Sequence, residues 1–253
     1  TSFSLVNGTA AIFNEGESHF LHVDANLGTN AQQIALSFEI FGNELSEITG
    51  MVHAALPKAD YSEIFSGQPI STLDISQLIG GLTLWIEIKD GQFSRGVSEF
   101  ELEKLAFQKE QTELIEVNDM TGASSFEYSQ INDAWEFAFS DISLDWADHV
   151  LQPFNVSGSY GASDGISLVS DQIDLALFSQ LALDAGFLSG EAVHQVESFR
   201  PQGELSNLQL SLPLAGAVDK AVRLKANIRS GELLSVGSSP SVKGLNGYLE
   251  GIF

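Results

Sequence analysis

Apolar and polar residues alternate with a period of two along most of the chain. Ile34, Leu36, Phe38 and Ile40 alternate with Ala35, Ser37 and Glu39, and Leu82, Leu84, Ile86 and Ile88 alternate with Thr83, Trp85, Glu87 and Lys89. The pattern returns at Trp135, Phe137 and Phe139, at Leu208, Leu210 and Leu212, and at Val222, Leu224, Ala226 and Ile228. Successive side chains of a strand point to opposite faces, so each apolar set lies on one side of its strand. Such one-sided alternation belongs to antiparallel sheets with one wet face; buried parallel strands read as continuous apolar runs. Asn7-Gly8, Gly42-Asn43, Asp90-Gly91, the segment Gly161 to Gly165, Ser230-Gly231 and Asn246-Gly247 supply positive φ and predict tight turns between the strands.

Two stretches depart from this period. Thr72 to Leu82, TLDISQLIGGL, and Gln172 to Phe199 place apolar residues three and four apart, which predicts a short helix near residues 74–81 and a helical segment near 175–198. Each has an extended LDI or IDL lead, and the likeness suggests a divergent internal repeat. A boundary near Phe154 to Gly165 then separates an N-terminal antiparallel β segment, residues 1–160, from a second β repeat, residues 161–253, unless the sheet runs on unbroken.

The fold class expected is mainly β: an antiparallel, extended, curved or twisted sheet forming a half-barrel or groove, with two short helical segments. A dry sheet face must be covered by something. Two faces interdigitating in a closed sandwich satisfy this, and so does a trough whose apolar lining accepts acyl chains; inward residues alternate in both. The lining of either interior is expected at Leu36, Phe38, Ile40, Leu84, Ile86, Phe137, Phe139, Leu210, Leu224 and Ile228.

Composition narrows the functional classes. Eleven Lys and Arg against 34 Asp and Glu give a formal net charge of −23, which repels phosphate backbones and anionic headgroups. Nucleic acid is therefore not an expected partner, and membrane contact through a polybasic patch is excluded. The absence of cysteine removes disulfides and thiolate chemistry. No apolar run reaches the roughly 18 residues of a membrane span.

Candidate chemistry is sparse. His19, His22 and Asp24 are close in sequence, but residues three apart on a strand face opposite ways, so no metal site is expected there. Asp141, Asp145, Asp148 and His149 form an acidic run that could hold Ca²⁺ or, with Glu136, supply the paired carboxylates of a carbohydrate-active enzyme; an acidic strand edge that discourages association reads the same way. No nucleophile elbow, phosphate loop, HExxH or dinucleotide fingerprint occurs, and no cofactor is implied. Asn7 and Asn155 lie in N-x-[ST] sequons.

The C-terminal third carries a more specific pattern. Pro201, Gly203, Leu205 and Leu208 are followed by a strand with Leu224, Ala226 and Ile228, then by Pro240, Val242, Gly244, Leu245, Gly247 and Leu249. This arrangement resembles the YhdP branch of the AsmA-like proteins, and the IDL lead and LPxxxY at Leu56 to Tyr61 agree in style. The resemblance implies a non-catalytic piece of a periplasmic bridge, part of an inner-membrane-anchored protein whose anchor is not in this chain. It also implies a long β groove carrying phospholipid between the inner and outer membranes of Gram-negative bacteria, with envelope proteins as further partners. A closed structural or partner-binding β domain is the alternative.

Overall fold

The computed structural model describes residues 5–27, 33–44, 46–62, 73–109, 114–146, 149–161, 165–184, 190–212, 221, 223–235, 237 and 240–252. Thirteen strands follow one another as a single antiparallel meander in which sequence order is spatial order. They are β1 (Leu5–Glu15), β2 (Ser18–Leu27), β3 (Gln33–Phe41), β4 (Thr49–Asp60), β5 (Leu73–Lys89), β6 (Gln92–Lys109) and β7 (Ile115–Ser129). There follow β8 (Ala134–Trp146), β9 (His149–Gly161), β10 (Gly165–Asp174), β11 (Gln202–Leu212), β12 (Arg223–Leu233) and β13 (Val242–Ile252). Two short helices, α1 (Leu175–Asp184) and α2 (Glu191–Phe199), interrupt the meander between β10 and β11. β1 and β13 are both edges, so the sheet is open and not closed into a barrel. β9 and β10 pair directly, from Gly161↔Gly165 to Val156↔Ser170.

Register carries one apolar face across the whole sheet. On one row, Ile12 pairs with Leu21, Leu21 with Phe38, Phe38 with Val52, Val52 with Ile86, Ile86 with Gly96 and Gly96 with Phe126. The row continues through Phe137, Gly158, Leu168, Leu210, Leu224 and Gly251. Paired residues of antiparallel strands project to the same side. The other side carries Glu39, Glu87, Arg95, Glu127, Glu136 and Ser159 on one matching row. Exposed cross-strand ion pairs, Lys104 with Glu116 at 2.9 Å and Lys225 with Glu250 at 3.2 Å, belong to this wet surface.

A strand with a strict period of two cannot bend sharply without turning its dry residues away. These strands solve the problem with an extra residue. On the dry side the spacing steps from two to three at Leu56 to Ala59, Ile75 to Leu78, Leu102 to Leu105, Val117 to Met120, Phe139 to Ile142, Leu151 to Phe154 and Leu205 to Leu208. Each step is a β-bulge, which bends the strand and raises its twist while returning the next apolar side chain to the same face. Asp119, Asp141, Asn207 and Ser230 take positive φ (47°, 52°, 52° and 53°) at or beside such steps, a conformation that short polar side chains tolerate. Neighbouring bulges are tied together. The Asp141 N–H donates to Asn155 Oδ1 at 2.9 Å, and the Asn155 N–H and side-chain amide donate to the Asp171 carboxylate at 2.9 and 2.7 Å. Tyr61, buried, donates its hydroxyl to the Pro57 carbonyl and so closes the bulge of β4.

The bulges correct several readings of the sequence. The short helix expected near 74–81 is part of β5; its three-residue apolar spacing, Ile75 to Leu78, comes from a bulge at Ser76, whose hydroxyl donates to the Ala106 carbonyl. Both helices fall instead within the segment expected at 175–198. Asn7-Gly8, Ser230-Gly231 and Asn246-Gly247 are not turns between strands; they lie inside β1, β12 and β13, where positive φ serves an irregularity of the ladder. Asp90-Gly91 does form the β5–β6 turn.

Two glycines on the dry face, Gly96 and Gly158, are covered by aromatic rings from the neighbouring strand. A Cβ on Gly96 would stand 2.1 Å from Phe126 Cζ, and one on Gly158 would stand 2.8 Å from Phe137 Cζ and 2.2 Å from the Ser167 carbonyl oxygen. Gly96→Ala is expected to cost about 1–3 kcal/mol by overpacking, with much of the loss recovered in Gly96→Ala/Phe126→Leu, because only a side chain obstructs the new methyl. Gly158→Ala is expected to cost at least as much and not to recover with Phe137→Leu, because a backbone oxygen obstructs it. Denaturant titration of the seven proteins of the two cycles, wild type and the Phe126→Leu and Phe137→Leu single variants included, measures both couplings.

The bulge seam also predicts a pH dependence. Partial burial pushes the Asp171 carboxyl up, but the Asn155 N–H and amide, the Gln172 N–H and its own N–H outweigh burial, so its pKa lies below the ordinary 3.8. A carboxylate depressed in the folded state stabilises above its unfolded pKa, and that contribution is lost as pH falls through the folded value. The stability difference between wild type and Asp171→Asn is therefore expected to be full at neutral pH and to shrink below about pH 4. Equal differences at pH 7 and pH 2.5 in urea titrations would contradict it.

Candidate functional site

The dry face has two parts. At one end Ile115, Val117, Ile142, Leu144, Trp146 and Leu151 form a buried cluster, with exposures of 3–8%. Leu177, Phe178 and Leu181 of α1 pack on it, and the Phe178 ring meets Phe154 edge-on, with centroids 5.2 Å apart and planes at 84°. A second cluster, Leu205, Leu208 and Ala226, gathers Ile173, Leu175, Leu224 and Ile228. The Asp174 carboxylate accepts the N–H groups of Ala176 and Leu177, both at 3.0 Å, and so starts α1 where β10 ends.

Over the rest of the face no second layer is present among the described residues. A helix of ten residues spans about 15 Å, whereas thirteen strands span roughly 58 Å along the hydrogen-bonding direction, so α1 covers only a fraction of the sheet. Leu21, Val23, Leu36, Phe38, Ile40, Val52, Leu84, Ile86, Phe126 and Phe137 are half-buried, and Phe139 is 42% exposed. No large side chain among those described is fully buried. These are the exposures of a single apolar layer on an open sheet, with polar exceptions that are internally satisfied: the Ser98 and Ser124 hydroxyls bond each other at 2.7 Å, and Ser170 donates to the Asn155 carbonyl. No Lys or Arg stands on the dry rows traced above.

All ten residues expected to line the interior project to this face. Leu36, Phe38, Ile40, Leu84, Ile86, Phe137 and Phe139 lie on its uncovered part. Leu210 sits between Leu168 and Leu224, and Leu224 and Ile228 pack on the second cluster. The sequence reading missed the buried residues Ile142, Leu144, Trp146 and Leu151, and the aromatic–glycine pairs formed by Phe126 with Gly96 and Phe100 with Gly122. The signal was the alternation of Ile142, Leu144 and Trp146 within the acidic run, masked by attention to its carboxylates.

The chemical candidates are dispersed. His19 pairs with Ile40 on the dry side and bonds Asn14, while His22 bonds Asp24 at 2.8 Å on the wet side, so the two imidazoles diverge. Asp141 lies in a bulge, Asp145 pairs with Asn118 on the wet face, and Glu136 accepts from the Asn132 amide. Asp148 and the His149 side chain lie outside the described residues. Among the described residues no group of three or more His, Asp and Glu could hold a metal ion, and no helix is long and apolar enough to cross a membrane. Asn155, of the second sequon, spends its side chain on the bulge seam.

No curated protein and no solved structure was found to match the chain. The family model described as YhdP protein matches residues 5–252, nearly the whole of it, and the chain belongs to the YhdP family.

Proposed function

We propose that the dry face is the acyl-chain-binding trough of a lipid-transport protein, and that this chain is a non-catalytic periplasmic segment along which phospholipid moves between the inner and outer membranes. The observation that carries the reading is an apolar row continuous over thirteen strands, over most of which the described residues place no second layer. Membership of the YhdP family supports it. Each methylene transferred from water gains about 0.8 kcal/mol, so an acyl chain laid along such a row is bound strongly with no polar contact at all. The wet face, acidic and held by cross-strand ion pairs, faces solvent or envelope proteins.

With no cation on the traced rows, recognition falls on the chains and not on the headgroup. Native mass spectrometry of the purified protein is expected to find phospholipid, with anionic headgroups no more abundant than in the membrane it came from. Phe137→Asp, which sets a charge in the uncovered part of the trough, is expected to lower lipid occupancy at least several-fold without unfolding the sheet, since Phe137 is only half-buried. Lipid-free protein from a lipid-rich source, or full occupancy in Phe137→Asp, would remove the proposal.

A further inference from the structure

We propose that the cluster beneath α1 is a second acyl-chain subsite, with α1 standing where the chain would lie and leaving when lipid moves in. This rests on the trough reading above and extends it to a part of the face that the helix closes. Leu144 and Trp146 are 8% and 4% exposed, whereas Phe139, on the same strand, is 42% exposed. Leu177, Phe178 and Leu181 of α1 pack against this cluster, together with Phe100, Leu105, Phe107, Met120 and Phe154 of the sheet, where an apolar ligand would lie. The chemistry under the helix is that of the open trough, with aliphatic and aromatic side chains and no charged group in the cluster.

The attachment of α1 suits an element that exchanges with a ligand. Among the described residues no side-chain hydrogen bond or ion pair joins α1 to the sheet beyond the Asp174 cap; Gln180 bonds Asp184 within the helix itself. What holds it is apolar contact, for which an acyl chain competes directly. The face of α1 turned to α2 leaves a depression lined by Ala176, Gln180, Leu183, Val193, Val196 and Arg200, so the helix is not wedged from behind by close packing.

The test places a photo-crosslinking amino acid in the whole chain at Leu144, under α1, or at Leu84, on the uncovered part, and supplies phosphatidylethanolamine with a fluorescent tail. With native α1, lipid is expected to label Leu84 strongly and Leu144 weakly. In Phe178→Ser, and separately in Asp174→Ala, which removes only the helix cap, labelling at Leu144 is expected to rise roughly tenfold while labelling at Leu84 holds. Circular dichroism showing unchanged strand content confirms that each variant is folded. Equal labelling of Leu144 and Leu84 with native α1, or no rise at Leu144 in folded variants whose Leu84 is still labelled, overturns the subsite alone. No labelling at either position overturns the trough and the subsite together.

Discussion

The structure depends on one geometrical constraint: a sheet that bends while keeping a single dry face must change its side-chain period where it bends. Alternation by two fixes the face of every residue in a straight strand, and a one-residue slip exchanges oil for water along the whole strand. The bulged steps from β4 to β11 absorb that slip locally. Leu102 and Leu105, or Phe139 and Ile142, are three apart in sequence and yet neighbours on one surface. The bulges must also be mutually adjusted, because strands on either side share their ladder. Asp171 and Asn155 do this with side chains that satisfy backbone groups freed by their neighbours.

That constraint explains what could be read from the sequence. The alternating runs gave strands, antiparallel pairing and the common face of all ten lining residues, since each run lies within one straight portion of its strand. The bulged portions misled in two ways. A step of three between apolar residues is also a helical spacing, so Ile75 and Leu78 read as helix although their strand merely carries an extra residue. Asn-Gly and Ser-Gly pairs signal positive φ without saying whether a turn or a bulge uses it, so Asn7-Gly8 and Ser230-Gly231 read as chain reversals. The second helical stretch was legible because Asp174 caps it and its apolar spacing persists over more than two turns.

The aromatic–glycine pairs were not legible at all, because they depend on which strands are adjacent and in what register. Phe126 lies over Gly96, thirty positions earlier, and Phe137 over Gly158. In each pair the ring occupies the space that a side chain on the neighbouring strand would have filled. The dry face thus stays apolar across positions that carry no side chain, and on the proposed reading a long, flexible chain lies along it by apolar contact.

A uniformly apolar face also decides how selective such a surface can be. Discrimination between ligands comes from polar groups left unsatisfied by the wrong partner, and the uncovered face presents few: Ser98 and Ser124 satisfy each other, and His19 is engaged with Asn14. An acidic wet surface adds a second bias, repelling anionic headgroups at distances within about a Debye length, 8–10 Å at physiological salt. On the proposed reading, hydrocarbon is held by solvation alone and charge stays outside. On the same reading, movement along the face needs no further device, because a ligand bound everywhere by equal increments of apolar contact meets no deep minimum in which to stop.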